Sequence, residues 1–251
     1  MSRLPKFYDD PALYDLIHAD GTDDEVWLLD RIATLHGNGG KTALEPACGT
    51  GRYIAGLLRR GWTVDGYDLS PKMVAYAKKR LAKWGPRAAV TRGDMVSFRS
   101  KKNYDLAFNL LSTFRHLDSD ADAVAHLRGT YELLNPGGLF VLGLDLAVYG
   151  QDLPDEEVWT ARRSGKSIRH VMMTLPASRR QRREKIMNFV HEGGGKLLES
   201  SYDLRSYDAQ QIAALILRTK FTLPICYGYD GKPASLCGTE NALWLVLKKP
   251  G

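Results

Sequence analysis

The stretch LEPACGTGRYIAG, residues 44–56, constrains this chain more than any other part of it. A short apolar run closes on Glu45, and Gly49 and Gly51 follow immediately before a helix-forming segment. Glycine at such a turn lets the backbone bend sharply and approach a ligand without a side chain in the way. The first turn of the helix then offers backbone N–H groups that have no partner inside the helix. A strand, a glycine loop and a helix in that order belong to an α/β layer structure, with its ligand at the carboxyl edge of a parallel sheet.

The residues around the loop narrow the ligand. A dinucleotide fingerprint needs a third glycine three positions after Gly51, where Ile54 stands. A phosphate-binding P-loop needs Gly-Lys-Ser/Thr, and Gly51 is followed by Arg52 and Tyr53. Glu45 would repel a pyrophosphate but suits a ligand with an ammonium group. Asp68 lies 17 positions after Gly51, at the end of the next expected strand. A carboxylate there can accept hydrogen bonds from two ribose hydroxyls. Gly93-Asp94-Met95 follows the third expected strand. An acid at that place can accept from an adenine amino group, with the next backbone N–H reaching a ring nitrogen.

Apolar periodicity predicts the rest of the layer. Residues 1–36 read as helical, with Leu13, Leu16 and Ile17, then Val26, Leu29 and Ile32, spaced by three or four. Strands are expected over 42–46, 62–67, 87–91, 104–110 and 139–146. Helices are expected over 52–60, from the Ser70 cap and Pro71 to about 84, and over 119–134. Between 158 and 205 four strand-like runs are separated by Ser164-Gly165-Lys166, Pro176-Ala177-Ser178 and Gly193-Gly194-Gly195, the pattern of an antiparallel meander. A helix over 208–219 and strands over 221–229 and 242–248 complete the chain. The expected fold is a seven-stranded, mostly parallel sheet with helices on both faces. An antiparallel β-meander is inserted after the fifth strand.

Glu45 to Gly51, Asp68, Asp94-Met95, the run from Asn103 to Leu111, and Leu134-Asn135-Pro136-Gly137-Gly138 together resemble class I, Rossmann-like S-adenosylmethionine-dependent methyltransferases. The resemblance covers about residues 40–146 and the last two strands. S-adenosylmethionine, which carries the ammonium group that Glu45 suits, is the cofactor it implies. The implied cofactor residues are Glu45, Ala47, Cys48, Gly49, Gly51, Arg52, Asp68, Leu69, Met73, Asp94, Met95, Asn109 and Leu110. Pro46-Ala47-Cys48 departs from relatives that have a glycine among these positions, which bears on the detail of the loop.

The insertion and the ending RSYDAQQIAALILRTKFTLPICYGYDGKPAS are similar to small-molecule methyltransferases such as glycine and sugar-amine N-methyltransferases. Leu111 to Leu117 resembles a loop that carries a histidine near the acceptor amine, and residues 7–16 resemble a segment that closes over the sulfonium. The likeness implies a catalytic His116, acting as base, and a catalytic Tyr14. It places Tyr8, Phe114, Arg115, Arg179 and Arg180 at the substrate. Four parts are expected: a helical lid (1–40), a cofactor-binding core (41–150), the insertion as substrate cover (151–205) and the rest of the core (206–251). The expected activity is methyl transfer to a small molecule, with an amine favoured over a hydroxyl.

Composition sets the boundaries of this reading. No apolar run of transmembrane length and no signal-peptide core is present, so a cytoplasmic protein away from membranes is expected. Cys48, Cys226 and Cys237 form neither a disulfide framework nor a metal motif, and no metal is expected. The net charge of +6 is local: residues 162–185 hold nine Lys or Arg and one acid, which leaves −2 for the rest. These arginines could draw in an anionic acceptor or simply form a solvated edge. The fourth strand carries no N-P-P-Y or D-P-P-Y run, against a nucleic-acid base as acceptor. Two alternatives stay open: a methyltransferase acting on RNA or another polyanion, and a non-catalytic S-adenosylmethionine-binding regulator. A homodimer is also open.

Overall fold

The structure, a computed structural model, describes residues 6–163, 165–193 and 195–251. Ser164 and Gly194, expected in two turns of the meander, lie outside the described residues, as do residues 1–5.

The main sheet has eight strands in the order β11-β10-β12-β5-β4-β1-β2-β3. Its parallel part comprises β1 (Thr42–Pro46), β2 (Thr63–Asp68), β3 (Ala88–Arg92), β4 (Tyr104–Asn109) and β5 (Leu134–Asp145). β12 (Ala242–Lys248) runs antiparallel between β5 and β10 (Ile225–Gly228). The strand beyond the expected seven is β11 (Pro233–Ala234), a two-residue edge pairing with β10 across a tight turn. Alternate strand residues enter opposite cores: Ala43, Leu106, Phe108 and Val141 on one face, Leu44, Ala107, Phe140 and Leu142 on the other. This period of two makes apolar strands buried on both sides.

Helices α2 (Thr22–His36), α3 (Arg52–Arg59) and α4 (Pro71–Leu81) cover the first face, and α5 (Asp120–Leu133) and α6 (Ala209–Ile216) the second. Their starts are local chemistry. Ser70 accepts from the Met73 N–H, Ser119 from the Asp122 N–H, and Asp208 forms a reciprocal capping box with Gln211. α4 stops earlier than the sequence suggests because Gly85 (φ 56°) and Pro86 turn the next residues into a kinked 3-10 segment. β5 starts earlier than expected. Its pairing with β4 breaks between Tyr104/Leu134 and Leu106/Leu139, so Asn135-Pro136-Gly137-Gly138 bulges within the strand. β10 is shorter than the expected run because Pro224 precedes it.

The meander is a separate four-stranded antiparallel sheet of β6 (Asp155–Arg163), β7 (Lys166–Thr174), β8 (Arg183–Glu192) and β9 (Lys196–Arg205). Against it packs the N-terminal cap, a 3-10 turn at Lys6–Asp9 and α1 (Pro11–Ile17). Phe7 and Ile17 share a small core with Ile168 and Val190. No helix among the described residues is long and apolar enough to cross a membrane.

Candidate active site

The strand order reverses between β1 and β4, and the crevice outside the carboxyl ends of those two strands is where α/β sheets hold ligands. The glycine loop forms its floor. The Cys48 N–H donates to the Tyr67 carbonyl (2.9 Å), and the Gly51 N–H to the Cys48 carbonyl (2.9 Å). Three loop residues have left-handed backbones: Ala47 (φ 49°), Gly49 (φ 51°) and Gly51 (φ 70°). Ala47 is where the departure from glycine tells, since a side chain in that region costs roughly 1–2 kcal/mol. The Cys48 thiol is buried against Gly66, and burial pushes its pKa well up, so it packs rather than reacts.

Two buried acceptors face this crevice without a partner among the described residues, Glu45 Oε2 and Asn109 Oδ1. They stand at the ends of neighbouring strands, and the Asn109 amide is oriented by its donation to the Pro46 carbonyl (3.0 Å). A pair of unsatisfied acceptors calls for a donor, and an ammonium group offers three. The residues therefore fit the amino-acid end of S-adenosylmethionine. Burial raises the Glu45 carboxyl well above its usual range, against the opposing charge of Arg52, and a bound cation would restore its ionised form.

Asp68 ends β2. Its Oδ2 accepts from the Gly49 N–H and its Oδ1 from the Ser70 N–H, both at 2.8 Å, and each oxygen keeps a lone pair for a ribose hydroxyl. Leu69 is partly exposed beside it, and Met73 is buried in the first turn of α4. The Gly93 N–H donates to the Asp68 carbonyl (3.1 Å), which sets Asp94 and Met95 beside Asp68. Sequence reasoning missed His126 here. Its Nδ1 bonds the Met95 carbonyl (3.1 Å) from inside α5, tying the Asp94-Met95 turn to the core. Leu110 is buried against Gly143 of β5.

The loop after β4 turns on two successive left-handed residues, Leu111 (φ 52°) and Ser112 (φ 54°). Ser112 holds the turn by donating to Asp145 Oδ2 (2.7 Å) and accepting from the Asp145 N–H (2.8 Å). Such backbones persist only where neighbours over-determine them. The following 3-10 turn delivers His116 under the cap. Its Nε2 lies 3.1 Å from the Tyr8 hydroxyl, and Tyr8 donates in turn to the Tyr202 hydroxyl at 3.4 Å. Tyr202 stacks on His116 with centroids 5.6 Å apart. Tyr14 stands over Gly49 and packs on Tyr8 at 5.6 Å. The structure thus joins Tyr8, Tyr14 and His116 and adds Tyr202 from β9. Tyr202 shares a period-two face with Leu198 and Leu204, the one signal that could have found it. Burial lowers His116 to about 4 with help from the Arg115 charge, so the imidazole is neutral at pH 7.

Three placements, Phe114, Arg115 and Arg179, correct the sequence reading. Phe114 is fully buried between His126 and Tyr207 in the second core, so its ring is packing and not a substrate contact. Arg115 is also buried. It pairs with Glu184 of β8 and donates to the carbonyls of Arg205 (3.0 Å) and Asp145 (3.4 Å), so it pins the His116 turn to the meander. The Arg52 side chain lines the crevice with Glu45, Gly49 and Asn109, and its guanidinium also bonds Thr22, Glu25 and Tyr53, which ties the loop to α2. Arg179 stacks on Tyr149 (4.6 Å) and pairs with Asp208 (3.7 Å), partners that it shares with neither Tyr8 nor His116. Arg180 is exposed on the same turn. Arg182 and Arg183 meet Asp120 (2.7 Å) and Asp118 (3.3 Å), so the basic turn docks on the start of α5.

Residues 43–138 match the family described as a methyltransferase domain. That segment is similar to a methyltransferase domain and lies in a Rossmann-like sheet. Its similarity to dTDP-3-amino-3,6-dideoxy-alpha-D-glucopyranose N,N-dimethyltransferase of Streptomyces fradiae is 32% identity over 52% of this chain and 51% of the relative. The chain thus spans about half the length of that curated relative. Among solved structures, an S-adenosylmethionine-dependent methyltransferase from Clostridium acetobutylicum has the same fold, with a TM-score of 0.78 at 15% identity over 98% of this chain and 100% of the other. A sugar N-methyltransferase from Streptoalloteichus gives 0.76 at 19% identity over 100% and 96%.

Proposed function

We propose that this chain is an S-adenosylmethionine-dependent N-methyltransferase acting on a small-molecule amine, with nucleotide-linked amino sugars the first class to test. The observation that carries the reading is the Tyr8–His116 contact at 3.1 Å, made under the cap and over the crevice that holds the two unpaired acceptors. When bound, S-adenosylmethionine supplies an electrophilic methyl carbon with a neutral thioether as leaving group. The chain's own task is alignment and exclusion of water. Tyr14 closes over the glycine loop. The Tyr8 hydroxyl can orient a polar acceptor, and neutral His116 takes the proton that the amine must lose.

In this reading residues 1–40 close the site, 41–150 and 206–251 hold the cofactor, and 151–205 cover the acceptor, in the cytoplasm. The name of the Streptomyces fradiae relative specifies an amino-sugar acceptor, which supports the same chemistry. A polyanion gains no support from the basic turn, because Arg179, Arg182 and Arg183 already face carboxylates.

The test is incubation of the chain with S-adenosylmethionine and a panel of amines that includes dTDP-3-amino sugars. Mass spectrometry should find S-adenosylhomocysteine and a product heavier by one or two methyl groups. S-adenosylhomocysteine formed only with hydroxyl or oligonucleotide acceptors would overturn the proposal.

A further inference from the structure

The Tyr8 hydroxyl sits between two partners but has one hydrogen to give. The Tyr202 oxygen, 3.4 Å away, is placed to accept that hydrogen. With the hydrogen on that side, the shorter contact, 3.1 Å to His116 Nε2, takes its hydrogen from the imidazole. A neutral imidazole with hydrogen on Nε2 keeps its lone pair on Nδ1. The partner that one nitrogen finds thus sets the role of the other.

The rest of the geometry makes this arrangement stiff. Tyr202 lies nearly parallel to the imidazole at 27°, and Tyr8 meets it edge-on with centroids 5.8 Å apart. Tyr202 is held in register by its pairing with Ile186 across β8 and β9. Arg115, next to His116 in the chain, is fastened to Glu184 of β8 as well. The meander therefore fixes both the imidazole and the phenol that stacks on it.

We propose that Tyr202 is a positioning residue for the transfer: by taking the Tyr8 hydrogen it makes His116 a donor through Nε2 and leaves Nδ1 as its basic nitrogen. This deepens the proposed function and rests on it for the role of His116 as base. In that role an ammonium N–H bond of the acceptor breaks and an Nδ1–H bond forms. The electron pair stays on the acceptor nitrogen, and His116 becomes an imidazolium. The hydroxyl of Tyr202 acts through Tyr8, while its ring only packs.

The experiment is nitrogen-15 NMR of histidine-labelled, ligand-free protein, with the His116 signals assigned by their loss in His116→Gln. Wild type should show hydrogen on Nε2 and a bare Nδ1. Tyr202→Phe keeps the ring and removes the acceptor oxygen, so Tyr8 should turn its hydrogen to Nε2 and the tautomer should reverse. With an amine acceptor, Tyr202→Phe should lower kcat about tenfold, equivalent to about 1.4 kcal/mol, with cofactor affinity unchanged. Wild-type protein with the His116 hydrogen on Nδ1 overturns the proposal without any variant. So does Tyr202→Phe that keeps both the wild-type tautomer and the wild-type kcat. A reversed tautomer in a protein that methylates no amine would leave the Tyr202 assignment standing and remove the proposed function instead.

Discussion

Thr50 of the glycine loop donates a 2.7 Å hydrogen bond to Asp15 of α1, so the loop and the cap above it are directly joined. The second Asp15 oxygen takes Arg80, and at 3.4 Å Tyr76, both from α4. An exposed pair, Lys72 with Asp9 at 2.9 Å, ties the cap to the same helix. Because Tyr14 precedes Asp15 and packs over Gly49, this latch holds the aromatic lid in place.

Asp15→Asn should therefore loosen the lid without unfolding the sheet. Hydrogen bonds to charged groups contribute about 1.5–3 kcal/mol, so cofactor release should speed up about tenfold or more. Stopped-flow release of S-adenosylhomocysteine and hydrogen exchange over residues 6–17 measure the two parts. An unchanged release rate would remove Asp15 from this role.

Glu45 sets stability against binding. Burial raises its carboxyl in the ligand-free fold above the unfolded value, so the fold binds more protons than the unfolded chain between the two. Stability should accordingly fall as pH rises through that window, from the ordinary carboxylate range upward. Glu45→Gln should remove this loss and raise the neutral-pH Tm of ligand-free protein, by about 2–4 °C for each kcal/mol recovered. The same change should weaken S-adenosylmethionine binding. Scanning calorimetry across pH, with and without cofactor, would show the two effects as opposite shifts.

Asp68→Ala removes two 2.8 Å bonds to the Gly49 and Ser70 N–H groups together with the carboxylate proposed for the ribose. Cofactor affinity should drop by roughly 1.5–3 kcal/mol. Titration calorimetry on a variant with wild-type circular dichroism is the check, and equal affinity would refute the assignment.

Arg115 and Glu184 form a buried ion pair, and removal of one partner strands the other charge. Arg115→Ala should cost about 3–5 kcal/mol in denaturant unfolding. If Arg115 held substrate instead, KM would rise while the unfolding midpoint stayed put.

The parts of this protein legible in its sequence are those governed by near neighbours in the chain. The apolar residues of β1, β4 and β5, the caps Ser70, Ser119 and Asp208, and the glycines of the loop act over a few positions. Their periodicity and turn chemistry specify the layered sheet and its carboxyl-edge crevice. Asp68 was readable for the same reason, since a strand end and a helix cap on either side of it fix its place.

The partners of the remaining side chains depend on docking. Tyr8 and His116 are 108 positions apart, Tyr8 and Tyr202 are 194 apart, and Arg115 and Glu184 are 69 apart. No local pattern says which face of the meander meets the cap, nor that Phe114 turns inward while its neighbour His116 turns to the site. A strand shifted by one residue presents the opposite face, so the register of β8 on β9 decides whether Tyr202 reaches His116 at all. The sequence by itself determined the layer, the glycine loop and the acid that ends β2. Only the packing of cap and meander over them decided which aromatic and basic side chains share the crevice, because burial and pairing between distant segments arise when those surfaces meet.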